Sequence, residues 1–329
     1  MDQRRRFIAD YQRHFFSVSE LCVRFGDALL AARHRHPTWG AKKLLRILSR
    51  KHPDWEWPAR STCCDVLKRH GLVTSPRRRR FPSHPGRPVT PMTAPNEIWT
   101  ADFKGQFLMT DGTYCYPLTV VDGYSRYLLA CQGLPSTRIA GAWPVFRRLF
   151  EEYGLPRIIR TDNGVPFATT VLGRLSPLFV WWIRLGIFPE LIEPAHPEQN
   201  GRHERMHRTL TAEATRPPSG NLSAQQQRFN RFRTEYNEER PHEALDQQTP
   251  ASIYRPSRRQ LPRTLPPIDY PGHFEVRLVS RNSGIRWEKH WVCVTHTLGA
   301  LPISPTAHRI MDLLQTDTRM LTGSRAPCL

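Results

Sequence analysis

Along residues 41–51, AKKLLRILSRK, the apolar Leu44, Leu45 and Leu48 fall on one helical face while Lys42, Lys43 and Arg46 stay outside. The stretches around it read the same way. SVSELCVRFG predicts a short helix with Ser17 as cap, Glu20 three residues on and Gly26 as its stop. DALLAARHRH follows, then the turn PTWG, and STCCDVLKRHG runs from a Ser61 cap to a Gly71 stop. From about residue 96 strand signals take over. EIWTADFKGQFLM and YCYPLTVVDGY predict a hairpin around Asp111-Gly112, and YLLACQGL predicts a third strand. Helical spacing returns over about 138–153 through Ala142, Val145, Phe146 and Leu149, and again over 171–186, 200–213 and 223–239. Between these lie a fourth strand, PRIIRTDNG, and a fifth, PELIEP. Three antiparallel strands followed by alternating helices and parallel strands make an α/β arrangement. HFEVRLVSRNSGIRWEKHWVCVTHTL alternates again and predicts a small β unit.

Two proline-rich stretches punctuate this pattern, 74–95 with six prolines and the run Arg77, Arg78, Arg79, Arg80, and 249–271. They divide the chain into a helical domain 1–73, a linker 74–95, a core 96–248, a linker 249–271, a β unit 272–297 and an irregular tail 298–329. A formal charge of +19 on 329 residues is a statement about partners, and nucleic acid is the commonest polyanion. Short helices with exposed Lys and Arg in the first block suggest a helix-turn-helix-like DNA-binding domain. The longest hydrophobic run, LFVWWI, is far short of the ~20 residues of a membrane span, and MDQRRRFIAD lacks a signal peptide's apolar stretch, so a cytoplasmic, nucleoid-associated protein is expected. The seven scattered cysteines have no disulfide-like spacing. His34, His36, Cys63 and Cys64 are not expected to make a zinc site, because adjacent cysteines on a helix point about 100° apart; the two cysteines are expected as small core residues.

The candidate chemistry is carboxylate chemistry. Asp102 lies in the first strand, within WTADFKG, and Asp162 lies just past the fourth, within IIRTDNG, at strand ends where α/β sheets build their sites. A third carboxylate from a later helix would complete an acidic cluster inside a basic protein, costly unless a cation neutralises it. Oxygen-only ligands suit Mg²⁺ or Mn²⁺, and a pair of such ions serves phosphodiester chemistry. Asp122 is expected to serve its turn or to back up the site, Asp111 to serve the hairpin, and Glu193 to sit near the site as a supporting group.

WTADFKG, TDNG and PEQNGRHERMHRTL together resemble the integrase catalytic core shared by retroviral integrases and bacterial insertion-sequence transposases. HPTWGAKKL and YNEERPHEAL are similar to the wider frame of a bacterial transposase group, so the resemblance covers about residues 30–297. It implies an RNase H-like core, a mixed five-stranded sheet with helices, and an Asp-Asp-Glu triad binding two divalent metal ions. The family's usual spacing, thirty-five residues between the second Asp and the Glu, selects Glu198; its Gly-x-x-Glu pattern selects Glu204, in Gly201-Arg202-His203-Glu204. Glu198 follows Pro197 in an expected loop, whereas Glu204 falls inside a helix anchored by Met206 and Leu210, which holds a ligand better. The expected triad, both catalytic and metal-binding, is therefore Asp102, Asp162 and Glu204. Asn200, His203, Arg205, His207 and Arg208 flank it and are read as able to reach DNA.

The implied activity is metal-dependent cleavage of element ends and strand transfer on double-stranded DNA, by a homo-oligomer, with Arg77–Arg80 tracking phosphates beside the core. Two stretches depart from the family frame. Only residues 27–36 separate SVSELCVRFG from HPTWGAKKL, and after about residue 298 the strand pattern fades. An internal deletion and a frameshifted tail would account for them. A catalytically silent DNA-binding remnant is the first alternative, and an RNase H-like nuclease the second.

Overall fold

The computed structural model describes residues 18–73, 90–167, 176–192 and 201–265, with short pieces between 276 and 303. Helices α1 (Val18–Arg35), α2 (Ala41–Lys51) and α3 (Arg60–Arg69) pack around Leu29, Trp39, Leu44, Leu48, Cys63 and Leu67. Gly26 does not stop a helix: α1 runs straight through it. The glycine costs about 1 kcal/mol of helix propensity, and the apolar stripe continuing through Leu29 and Ala32 outweighs that. Ser61 is not a cap either, since α3 begins at Arg60 behind Ala59. Gly71 does end its helix, at φ +68°. The links between these helices, residues 36–40 and 52–59, are longer than the three or four residues of a tight helix-turn-helix. Cys63 is buried in the helical core and Cys64 is half-buried against it, while His36 stacks on Trp39.

The central sheet contains β1 (Ile98–Phe103), β2 (Phe107–Leu108), β3 (Tyr114–Asp122), β4 (Leu128–Leu134), β5 (Ile158–Thr161) and β6 (Phe188–Leu191). β3 pairs antiparallel with β1 and β4, while β5 runs parallel to β1 and β6 parallel to β5. The two-residue β2 prolongs β1 along β3, with Lys104 N–H donating to the Pro117 carbonyl between them. The spatial order β4-β3-β1-β5-β6, three strands antiparallel and two parallel, is the RNase H-like arrangement. α4 (Ile139–Tyr153) and α5 (Pro177–Arg184) cover one face, packing Phe146, Phe150 and Trp182 on Trp99, Ala101, Leu118 and Val120. α6 (Gly201–Leu210) and α7 (Leu222–Thr234) cover the other, packing Met206, Leu210, Phe229 and Phe232 on Cys115, Val121, Leu128 and Cys131. Because side chains alternate along a strand, Thr100, Asp102 and Thr119 belong to this second face.

β4 ends the sheet, and an uncovered edge is a template for unwanted pairing. Side chains from α7 and the π-helical turn after it, Glu235–Glu239, close it. Gln226 accepts from Gly133 N–H at 2.8 Å and donates to the Cys131 carbonyl at 3.0 Å. Arg233 donates to the Leu129 carbonyl at 2.9 Å. Buried Asn237 acts as a surrogate strand residue, accepting from Leu128 N–H at 2.8 Å and donating to its carbonyl at 3.0 Å.

The second proline-rich stretch, expected to be an extended linker, is strapped to the core as far as residue 265. Tyr254 stacks on Tyr127 with ring centroids 4.5 Å apart, and Arg259 donates to the carbonyls of Pro156, Leu185 and Gly186. Gly154, at φ +75°, lets the strap approach: a Cβ there would lie 2.7 Å from the Ser257 carbonyl oxygen. Beyond it, β8 (Gly284–Trp287) and β9 (His290–Cys293) form a hairpin, and β7 (Arg277–Leu278) pairs with β10 (Pro302–Ile303), inside the stretch read as irregular tail. No helix among the described residues is long and apolar enough to cross a membrane.

Asn237→Ala leaves the Leu128 N–H and carbonyl buried without their partner, and should cost about 3 kcal/mol, the sum of two orphaned backbone groups. Urea unfolding reads this as a lower midpoint at unchanged slope; a loss under about 0.5 kcal/mol would show that water replaces the amide.

Candidate active site

Neighbouring parallel strands deliver the two aspartates side by side. Ala101 is in register with Thr161, so Asp102 and Asp162, one residue further on, leave the sheet together at the same end. Glu204 comes from the first turn of α6 on the face of the sheet that Asp102 occupies. The three carboxylates are close enough to act on one another. Asp102 is pushed up to about 7, first by burial and then by the charge of Asp162, with Glu204 adding to it. Burial also raises Asp162, against a hydrogen bond from Gly164 N–H. Gly164 leaves the space this needs, since a Cβ there would meet Asp162 Oδ2 at 3.0 Å. Asn163 ties the same loop to the Ile192 carbonyl at 2.9 Å, joining the ends of β5 and β6.

α6 is seated by a stripe at i, i+3, i+4 and i+7: His203, Met206, His207 and Leu210, all buried. Both histidines were expected to flank the glutamate and reach phosphates; the structure turns them inward. His203 is 1% exposed and bonds Thr100 Oγ1 through Nδ1 at 2.8 Å and Thr119 Oγ1 through Nε2 at 2.7 Å. His207 bonds the same Thr119 Oγ1 through Nε2 at 2.8 Å, and its Nδ1 lies 3.8 Å from Asp102 Oδ2. Thr119 in turn donates to the Asp102 carbonyl at 3.0 Å. Burial depresses both imidazoles, His203 strongly and His207 to about 3, with Lys104 beside the latter. The signal was present in the sequence, because both histidines fall on the helical stripe with Met206 and Leu210, and threonines stand opposite on β1 and β3.

An open groove of about 550 Å³ begins at the site, lined by Lys104, Gly105, Glu204, His207, Arg208, Thr211, Ala212 and Arg216. A second depression continues it past Gln106 and Phe107 to Pro218, sharing Lys104, Thr211 and Arg216. Arg208, one turn after Glu204, faces this groove. Arg205 lies toward the helical unit, where its charge acts on Lys43 and Glu243. Lys104, Gly105 and Arg216 were not singled out in the sequence.

Of the α2 lysines expected on the outside, Lys42 is exposed while Lys43 is not. Lys42 pairs with Glu243 at 3.1 Å, and Lys43 is half-buried and lowered to about 8, mainly by burial and by Arg240. Helix amphipathicity cannot reveal a second body packed on the polar side. Arg46 is exposed. Glu193, Glu198, Asn200 and Arg77–Arg80 lie outside the described residues. Asp122 serves its turn, accepting from Asn96 N–H at 2.7 Å and from Ser125 Oγ at 2.6 Å, and Asp111 accepts from Thr113 in the hairpin.

The donor set suits a hard divalent cation. The charges of Asp162 and Glu204 both act on Asp102, and that repulsion is what a cation relieves. The tight group Asp102, His203 and His207 could hold an ion only in part, because both His203 nitrogens are engaged by threonines.

Two family profiles match the chain, both described as integrase core domain, over residues 92–197 and 185–250. A 31.7 kDa protein of insertion element IS407 from Burkholderia multivorans is 28% identical over 164 residues, covering 49% of this chain and 56% of that protein. A 39.2 kDa protein of insertion element IS476 from Xanthomonas euvesicatoria is 28% identical over 209 residues, covering 62% and 57%. The Gag-Pol polyprotein of baboon endogenous virus is 26% identical over 189 residues, covering 57% of this chain and 10% of the polyprotein. The chain thus spans little more than half the length of the insertion-element relatives. Among solved structures, the HTLV-2 integrase catalytic core domain in complex with magnesium aligns at 16% identity and a TM-score of 0.36, covering 49% of this chain and 97% of that one.

Folded Asp102 keeps its proton up to about pH 7, whereas the unfolded chain releases it near 4. Its contribution to stability is therefore complete below about pH 4 and lost as pH rises through 7 in metal-free buffer. Asp162→Asn removes the second cause and should lower the Asp102 pKa and flatten that slope. A carboxyl-resolved ¹³C NMR titration measures it; an unmoved Asp102 contradicts the coupling.

Proposed function

We propose, for a chain whose residues 92–250 belong to the integrase core domain family of insertion-sequence transposases and retroviral integrases, that it cleaves and joins DNA ends by divalent-metal-dependent phosphoryl transfer. One observation carries this reading: Asp102 lies within reach of the charges of Asp162 and Glu204, and Glu204 itself lines a groove that bears Lys104, Arg208 and Arg216, in a protein of net charge +19. Acids alone would repel a phosphodiester, and bases alone would bind it inertly.

Each residue has a part. Asp102 and Asp162, fixed by adjacent strands, and Glu204, fixed by a buried helix stripe, form a rigid donor set of the kind that precise chemistry requires. Mg²⁺ or Mn²⁺ held there, with two ions the expected complement, supplies Lewis-acid polarisation and activation of an attacking oxygen. Lys104, Arg208 and Arg216 hold the phosphates on either side of the reacting one. In-line attack by water, in cleavage, or by a DNA 3′-hydroxyl, in joining, forms one P–O bond as the P–O3′ bond breaks. The leaving 3′-oxygen takes up a proton, and no covalent enzyme intermediate or nucleotide cofactor is needed. Double-stranded DNA is the substrate and a homo-oligomer the working form, since two ends must be brought together.

A second reading, a DNA-binding remnant that does not cut, is favoured by one observation. α1 runs unbroken from Val18 to Arg35 across the short 27–36 connection, Lys43 is half-buried, and the exposed Lys42 is paired with Glu243. With those two lysines engaged the helical unit presents fewer free cations to DNA.

The test uses labelled duplex carrying the element's own end, with Mg²⁺ or Mn²⁺. Wild type should nick and join, Glu204→Gln should fall by about a thousandfold or more, in keeping with the several kcal/mol of a metal clamp, and Glu198→Gln should stay within about threefold. Binding without cutting by the wild type would select the remnant. Arg216→Ala should keep nicking chemistry yet bind DNA more weakly at every sequence, its salt slope falling by about 1 in a fluorescence-anisotropy series; an unchanged slope removes Arg216 from the phosphate track.

A further inference from the structure

The Thr119 hydroxyl makes three close contacts with a single proton to give. Its partners are the Asp102 carbonyl at 3.0 Å, His203 Nε2 at 2.7 Å and His207 Nε2 at 2.8 Å. The carbonyl can only accept, so all three bonds form only if Thr119 donates to it and accepts from both imidazoles. Both histidines are then Nε2–H tautomers, an assignment that follows from the hydrogen-bond network. His203 Nδ1 is consumed by the Thr100 hydroxyl at 2.8 Å. His207 Nδ1 is left as a lone pair directed at Asp102 Oδ2, 3.8 Å away and beyond hydrogen-bond distance.

Once Asp102 is ionised, two electron-pair donors lie at this separation and repel, unless something electropositive sits between them. A divalent ion with bonds of about 2.1 Å to each can span 3.8 Å, because twice that length exceeds the gap. His207 is only 8% exposed, yet it lines the same groove mouth as Glu204, one helical turn away, so its free nitrogen opens toward the carboxylates rather than into the core. Thr119 therefore performs for His207 what outer partners do for metal-bound histidines generally: it fixes the tautomer and aims the ring.

We infer that His207, through Nδ1, is a further ligand of a metal ion shared with Asp102, giving this site a mixed nitrogen–oxygen donor set. The inference rests on the metal-dependent reading above. It separates the two histidines of one helix by role, His203 purely structural and His207 a ligand. An imidazole donor also shifts preference along the divalent series, away from Mg²⁺ and toward Mn²⁺ and Co²⁺.

Pulsed electron paramagnetic resonance on the full chain loaded with Mn²⁺ tests this without recourse to activity. Wild type should bind Mn²⁺ in a manner abolished by Asp102→Asn, and its echo should carry the ¹⁴N modulation of a directly bound imidazole. His207→Gln should lose that modulation, and the ratio of Mn²⁺ to Mg²⁺ affinity should drop about tenfold. The wild-type spectrum decides even if the variant folds poorly. Asp102-dependent Mn²⁺ binding without ¹⁴N modulation overturns the ligand and leaves the carboxylate site standing, as does modulation that persists in His207→Gln. No Asp102-dependent binding at all overturns both.

Discussion

Like charges forced together are the constraint this protein is built around. Asp102 feels both Asp162 and Glu204, and nothing in the donor set itself favours that gathering. The cost is met by making each carboxylate's position follow from something that cannot easily relax. Asp102 and Asp162 leave parallel strands whose register is set by four paired residues. Glu204 rides on α6, whose other side is bonded to the sheet through Thr100, His203, Thr119 and His207. An apolar stripe alone permits a helix to slide or rotate a little, because dispersion and burial are not directional. A buried polar relay does not, since a small rotation would orphan several groups at once.

The same reasoning explains what was legible in the sequence. Strand and helix periods reveal three antiparallel strands followed by alternating helices and parallel strands, because burial against a sheet writes itself into spacing; Asp102, Asp162 and Glu204 are picked out by strand-end position and by the integrase-like motifs that carry them. Glu204 is preferred to Glu198 on its Gly-x-x-Glu pattern and its helix rather than on counting. Thr119 and His203, by contrast, are polar residues in buried positions, and hydropathy assigns them to the surface. Gly26 looked like a helix stop because propensity is local, whereas the packing that carries α1 through it is not. Lys43 looked exposed because a single helix cannot show that its polar face meets another body.

That second body is the frame of the molecule's charge. The segments HPTWGAKKL and YNEERPHEAL, far apart in sequence, meet in space. Trp39 is 1% exposed, stacked by His36 at 4.0 Å with the Arg240 guanidinium over its other side at 5.5 Å. His36 bonds Glu235 at 2.8 Å, Thr38 bonds Glu213, and Arg240 pairs with Glu213 at 2.5 Å. Glu213 belongs to the π-helical turn Thr211–Thr215 that extends α6, so the helix that carries Glu204 to the site also carries Glu213 to this interface. Wider helical turns of this kind recur at functional sites, and here one redirects a side chain.

Two strongly basic pieces should not pack together unaided. With 48 Lys and Arg against 29 Asp and Glu, acids are the scarce residue in this chain, and four of them, Glu213, Glu235, Glu239 and Glu243, are spent at one seam. The exposed pairs, Arg35 with Glu239 and Lys42 with Glu243, contribute little, roughly 0–1 kcal/mol each. The half-buried contacts around Trp39 and Arg240 hold the seam, being desolvated and geometrically fixed. Three further acids, Asp102, Asp162 and Glu204, make the candidate site. Acidic residues at these two places stand where basic surfaces are joined and where a cation would be held. Repulsion between the two basic pieces is thereby offset at the contact around Trp39 and Arg240.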